Sequence, residues 1–174
     1  RVHKKYADPW KVTVVDTGES TMTGGRLKRI KEYVKDEKSF CMTYGDGVSN
    51  VDVSNLISFH KENKKLATLT AVYSPGRFGA LDIDNNNAIS SFLEKPKGDG
   101  GMINGGFFVL SPEVLELIKS DDDIWEREPL ENLAKSNNLM AYKHEGFWQP
   151  MDTLRDKNYL ENLWMNNEAP WKIW

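Results

Sequence analysis

Apolar positions along the chain switch between a two-residue rhythm and a three-to-four-residue rhythm, the alternation of an α/β protein. The β-branched run over residues 10–15 predicts a strand that ends at Asp16-Thr17-Gly18. After Gly24-Gly25, residues Leu27, Ile30 and Val34 share one helical face, with Arg26, Lys28, Arg29, Lys31 and Glu32 outside it. Residues 39–43 form a short apolar run stopped by Gly45-Asp46-Gly47, which predicts a buried strand opening into a loop. A helix follows over 52–63, where Val53, Leu56, Ile57 and His60 have helical spacing. Threonines alternate with apolar residues over 66–73, the pattern of a central strand.

The second half continues in the same manner. Residues 81–83 and 89–92 flank Asn85-Asn86-Asn87 as two arms flank a hairpin turn. Residues 95–101 read as a loop and 106–110 as a strand. Pro112 is expected to open a helix reaching Lys119, with Ser111 as its N-cap. A short helix over 130–134, strands over 139–143 and at Phe147-Trp148, and a last helix from near Thr153 complete the pattern, with Leu160, Leu163 and Trp164 on one face of that helix. The acidic run Asp121-Asp122-Asp123 reads as a solvated loop. There is no internal repeat or low-complexity stretch, and residues 1–174 are expected to form one domain.

Composition narrows the function classes. Hydrophobic residues are 39% and charged residues 28%, ordinary for a globular chain, and the net charge is -3. That balance argues against a broad electrostatic grip on nucleic acid but leaves room for a local basic pocket. Cys41 is the single cysteine, so an intramolecular disulfide is excluded; as part of Phe40-Cys41-Met42 it is expected to be a small core residue. No stretch has the length of a membrane span, no signal peptide is evident, and a cytoplasmic protein is the expectation. The opening residues 1–6 lack hydrophobic periodicity and read as a segment entered partway along a longer chain. His60 is expected to pack beside an apolar helix face, and the three histidines form no zinc-type spacing.

Ligands of open α/β sheets collect at the carboxyl ends of strands, and two aspartates lie there. Asp46 follows the 39–43 strand between two glycines, and Asp152 lies between a strand and the final helix. Two carboxylates so placed suit Mg²⁺, a hard cation that takes oxygen ligands. Taken alone, Asp46 reads more readily as a turn residue and Asp152 as the N-cap of the last helix. Glu94-Lys95-Pro96 could supply a cation for a phosphate and an acceptor for sugar hydroxyls, or be a charged strand end. Asn104-Gly105-Gly106 is a polar step onto a strand, or a bulge. Gly24-Gly25-Arg26 could turn helix amides and a guanidinium toward an anion, or simply precede an amphipathic helix.

The order of these fragments carries more than any one of them. Gly-Gly-Arg-Leu, Gly-Asp-Gly, Arg-Phe-Gly, Glu-Lys-Pro, Asn-Gly-Gly-Phe-Phe and Gln-Pro-Met-Asp-Thr, in that succession, resemble the sugar-phosphate nucleotidyltransferases. Residues 15–29, 76–83 and 146–156, with the ending Ala169-Pro170-Trp171-Lys172, are similar to the branch of that family that transfers cytidylyl groups. The resemblance implies a Rossmann-like mixed-sheet α/β fold, N-terminally incomplete here, because the family's Gly-Gly-X-Gly-Thr-Arg-type loop and Pro-Lys-Pro segment do not occur in these 174 residues. It implies CTP and α-D-glucose 1-phosphate as substrates, CDP-glucose and pyrophosphate as products, and a role in dideoxy-sugar and O-antigen biosynthesis. It implies Asp46 and Asp152 as Mg²⁺ ligands, Lys95 and Arg26 as catalytic cations, and Thr23, Gly79, Glu94, Lys95, Asn104 and Gly105 as substrate contacts. A homo-oligomer is expected for the intact enzyme, and this chain alone is expected to be inactive. The competing readings are a transferase using UTP, dTTP or ATP, a nucleotide-sugar glycosyltransferase, or a non-catalytic sugar-phosphate-binding or assembly module.

Overall fold

The core gathers where one face of a mixed sheet meets helices and turns from both halves of the chain. Leu27, Phe108, Leu110, Val114, Leu115, Ile118, Trp125 and Leu133 are buried together there. The computed structural model describes residues 10–76, 80–93 and 101–173. Four strands form the sheet: β1 (Phe40–Thr43), β3 (Ala67–Tyr73), β6 (Met102–Leu110) and β7 (Leu139–His144), in the order β1-β6-β3-β7. β6 is antiparallel to both neighbours, while β3 and β7 run parallel. Two small ribbons flank it, β2 (Gly47–Ser49) with β8 (Trp148–Pro150) and β4 (Ala80–Ile83) with β5 (Ile89–Leu93), both antiparallel. The expected mixed-sheet α/β class is the observed one.

Helix α3 (Val53–Asn63) begins where the Asp52 carboxylate accepts a hydrogen bond from the Asn55 amide, and it ends at Lys64 in the left-handed conformation. The final helix, α5 (Leu154–Met165), has a reciprocal cap: Thr153 Oγ1 accepts from the Asp156 amide while the Asp156 carboxylate accepts from the Thr153 amide. Asp152 is therefore not the N-cap of this helix. The β4–β5 turn is held by Asp84 Oδ1, which accepts from the amides of Asn86 and Ala88, with Asn87 at positive φ. Helix α4 (Glu128–Lys135) covers the predicted 130–134 and extends beyond it at both ends.

Several expectations are corrected. Residues 10–15 form no strand, and Trp10, Val12 and Val14 are exposed; β-branched residues favour a strand only where a neighbour accepts their backbone hydrogen bonds, and the described residues provide none. Cys41 is exposed rather than core, because strand alternation turns Phe40 and Met42 inward and Cys41 to the other face. The helix predicted over 25–34 breaks at Ile30 into α1 (Thr23–Arg29) and α2 (Lys31–Val34). Pro112–Leu117 forms a 3₁₀ segment, and the Ser111 side chain makes no capping bond. The 106–110 strand starts four residues earlier, at Met102.

The acidic run is also more than a solvated loop. Asp121 forms an ion pair with Arg29 at 2.5 Å, and the carbonyls of Asp121 and Asp123 accept from the amides of Met22 and Gly24. Gly24 and Gly25 permit this docking: a Cβ on either would lie 2.6 Å from backbone atoms of Asp123 or Asp121. The pair is exposed, so its role is to hold α1 in place more than to add stability.

Candidate active site

The last residues of β1 and the middle of β6 build one side of the site. Between Leu69–Phe108 and Ala71–Asn104 the register slips, so that β6 advances four residues while β3 advances two. The extra residues of β6 form a bulge at Asn104-Gly105-Gly106, one of the two readings open for that step. The bulge is stabilised locally, since Asn104 Oδ1 accepts from the Gly106 amide at 2.9 Å. Gly106 has a φ of 78°, and a Cβ there would lie 2.7 Å from the Tyr44 ring, so the position requires glycine on two counts. The Gly105 carbonyl accepts from Trp148 Nε1 at 2.8 Å, which ties the bulge to the β2–β8 ribbon.

That ribbon brings the two aspartates to one place. Gly47 pairs with Pro150, and one step further the Met151 amide donates to the Asp46 carbonyl at 2.7 Å. Asp46 and Asp152 thus leave the same end of a two-stranded ribbon, although 105 positions of sequence separate the hydrogen-bonded pair Asp46 and Met151. Both are exposed. Among the described residues no group of three or more His, Cys, Asp or Glu side chains is arranged to hold a metal ion. The two carboxylates are hard oxygen donors, the ligand chemistry that a divalent cation takes.

A hydrogen-bonded chain of side chains crosses the site floor. Glu126 accepts from Thr23 Oγ1 at 2.7 Å and, through its other oxygen, from the Tyr44 hydroxyl. The Tyr44 oxygen in turn accepts from Asn104 Nδ2 at 3.4 Å. Two residues expected at the substrate, Thr23 and Asn104, are therefore joined through two that sequence reasoning missed, Tyr44 and Glu126. Burial pushes the Tyr44 phenol well above its ordinary pKa of 10; the Glu126 carboxylate pushes it the same way, and the charge of Asp46 adds to the rise. Asp46 is accordingly within electrostatic reach of this chain. Tyr44 directly precedes Gly-Asp-Gly at a strand end, a signal that could have been used, whereas nothing in the pattern around Glu126 marks it.

The remaining candidates divide. Arg26 donates to Thr17 Oγ1 at 2.7 Å and to the Glu19 carbonyl at 3.0 Å, so its guanidinium is engaged with the segment before α1. The Gly24 and Gly25 amides donate to the Asp123 carbonyl instead of facing open space, which overturns their reading as an anion cradle. Gly79, Glu94 and Lys95 lie outside the described residues, as does the Arg77-Phe78 pair.

The phenol supplies a test of this geometry. A tyrosine with a raised pKa in the fold stabilises the fold below its unfolded pKa near 10 and loses that contribution as pH rises above it. Unfolding free energy is expected to fall above about pH 10 more steeply in the native chain than in Tyr44→Phe, and Glu126→Gln should move the Tyr44 titration downward, followed by phenolate absorbance. Identical alkaline profiles for native chain and Tyr44→Phe would count against the Tyr44–Glu126 contact.

Comparison with known proteins gives a consistent result. The model of the nucleotidyl transferase family matches residues 3–156. The glucose-1-phosphate cytidylyltransferase of Salmonella typhi is 62% identical over 173 residues, covering 99% of this chain and 67% of that protein. The chain thus spans about two thirds of the length of this curated relative. Among solved structures, HddC from Yersinia pseudotuberculosis superimposes with a TM-score of 0.57 at 25% identity, over 81% of this chain and 61% of that one. A UDP-glucose pyrophosphorylase bound to UDP-glucose gives 0.61 at 13% identity, over 87% of this chain and 64% of that one, a likeness of fold alone.

Proposed function

Because the chain belongs to the nucleotidyl transferase family, on its glucose-1-phosphate cytidylyltransferase branch, we propose that its protein joins CTP to α-D-glucose 1-phosphate, giving CDP-glucose and pyrophosphate. The observation that carries the site reading is the β2–β8 ribbon, which sets Asp46 and Asp152 at one end beside the Asn104 bulge. The sugar-phosphate oxygen attacks the α-phosphorus in line, its bond forming as the bond to pyrophosphate breaks, and no protein nucleophile takes part. Asp46 and Asp152 would hold a divalent cation, proposed as Mg²⁺, that neutralises charge on the phosphates when bound. Asn104 presents its amide at the bulge, where it can meet a sugar hydroxyl, and Tyr44 and Glu126 fix its orientation together with that of Thr23. Lys95 and Glu94 are proposed as contacts to sugar phosphate and sugar, and Gly79 as a further substrate contact.

The proposal extends to the setting. CDP-glucose is a precursor for dideoxy sugars of O-antigen, made in the cytoplasm; no helix among the described residues is long and apolar enough to cross a membrane. Exposed Leu154, Tyr159, Trp164 and Met165 on α5 support a homo-oligomer, since aromatic and apolar side chains concentrate at subunit interfaces. The experiment is pyrophosphate release from glucose 1-phosphate and Mg²⁺ with CTP, UTP, dTTP and ATP in turn, using the full reading frame that encodes this chain. Release selective for CTP supports the reading; preference for another nucleotide, or no release with any, overturns it.

A further inference from the structure

A second pocket lies at the opposite end of the sheet from the candidate active site. It has a volume of about 450 Å³ and is lined by Lys38, Lys61, Lys64 and Lys65 together with the edge of His60. The active-site bulge is level with Ala71, whereas this pocket sits beyond Ala67, where the Ser111 amide donates to the Leu66 carbonyl. Four strand residues separate the two levels, about 13 Å along the sheet.

Four lysines around one cavity are out of keeping with a chain of net charge -3. None of the four makes an ion pair or a side-chain hydrogen bond among the described residues. The carbonyl end of α3 favours cations and accounts for Lys61 and Lys64. It does not account for Lys38, which enters from the segment before β1, or for Lys65, which leads into β3. Mutual repulsion of these ammonium groups is a cost that a bound anion would relieve.

The floor of the pocket is built. His60 is 4% exposed, and its Nδ1 is 2.9 Å from the buried Thr68 hydroxyl, which fixes the ring and leaves Nε2 without a partner among the described residues. The hydroxyls of Ser39 and Ser111 also line the cavity, giving neutral donors beside the cations. The volume is that of a small-molecule site. No Phe, Tyr or Trp side chain lines it.

We propose that this pocket is a second anion site, distinct from the transfer site, that binds a diphosphate group through its four lysines and His60. Two or more phosphates match four cations better than one does, and lysine serves each as a point charge. The site's distance from the ribbon of Asp46 and Asp152 separates its ligand from the reacting phosphates.

The test uses inorganic pyrophosphate without divalent metal, at fixed salt, followed by NMR of the histidine rings. His60 reports from the pocket, while His144, which contacts Asn50 and the Phe147 carbonyl, serves as the control. Saturable movement of the His60 resonance is expected, with orthophosphate binding at least tenfold more weakly. The Lys61→Ala/Lys65→Ala double variant should weaken pyrophosphate binding at least tenfold and leave the fold intact. CDP is the second probe: affinity equal to or above that of pyrophosphate supports the diphosphate site and tells whether the rest of a nucleotide adds to it. A His60 resonance that stays still at saturating pyrophosphate, equal binding of orthophosphate, or unchanged affinity in the double variant would each overturn the proposal.

Discussion

Replacing either Asp46 or Asp152 with asparagine in the full-length protein is expected to cut turnover about a thousandfold, the effect of losing roughly 4 kcal/mol of transition-state stabilisation. Asparagine keeps the shape and one oxygen but removes the charge that a divalent cation needs beside two phosphates. Because both side chains are exposed, stability should change by less than about 0.5 kcal/mol. A fall in activity without a fall in unfolding free energy therefore separates a role in the reaction from a role in the fold. The double variant should lose little more than either single one, since two ligands of one ion act as a unit. Independent, multiplying effects would mean that the carboxylates serve different sites, and the ribbon that joins their backbones would then have no bearing on catalysis.

The elements with regular patterns were legible because their residues report on local physics. Helices α3 and α5 are legible as elements from their spacing, although the N-cap of α5 is Thr153 and not Asp152, and β3 reads as central because Thr68 and Thr70 alternate with apolar neighbours on a strand buried on both sides. Failures came where the outcome depends on a partner far away in sequence. Residues 10–15 have strand propensity and no strand beside them. Gly24 and Gly25 resemble an anion cradle until the Asp121–Asp123 segment, almost a hundred positions on, takes their amides. Asp46 and Asp152 were singled out by their places at strand ends and by the order of motifs; what sets their backbones near each other is the pairing of Gly47 with Pro150, which no local pattern encodes. Glu126 was missed for the same reason, since its significance lies wholly in reaching Thr23 and Tyr44.

That reach depends on the residue before it, and Trp125→Ala is expected to be the most destabilising single change, lowering unfolding free energy by about 3–5 kcal/mol. Trp125 is 1% exposed, packs edge-on against Phe108 with ring centroids 6.2 Å apart, and belongs to the main core cluster. Its backbone amide donates to Thr23 Oγ1, so the same residue anchors the start of α1. The indole Nε1 is buried with no hydrogen-bond partner among the described residues, a polar group left unpaired at a cost of about 1–3 kcal/mol. Trp125→Phe removes that cost along with part of the ring volume, so it should destabilise by no more than about 2 kcal/mol. Urea unfolding of both against the native chain separates the contributions: both variants lose the indole nitrogen, so their difference reports the cavity, and a Trp125→Phe loss well above about 2 kcal/mol would show that the nitrogen is hydrogen-bonded in the fold. Activity gives the second readout. In Trp125→Ala the backbone that aims Glu126 at Thr23 and Tyr44 loses its buried anchor, and turnover should fall even at low temperature where the variant remains folded. Full activity in that folded variant would break the link from core to site, because Glu126 would then hold its position without the ring packed behind it.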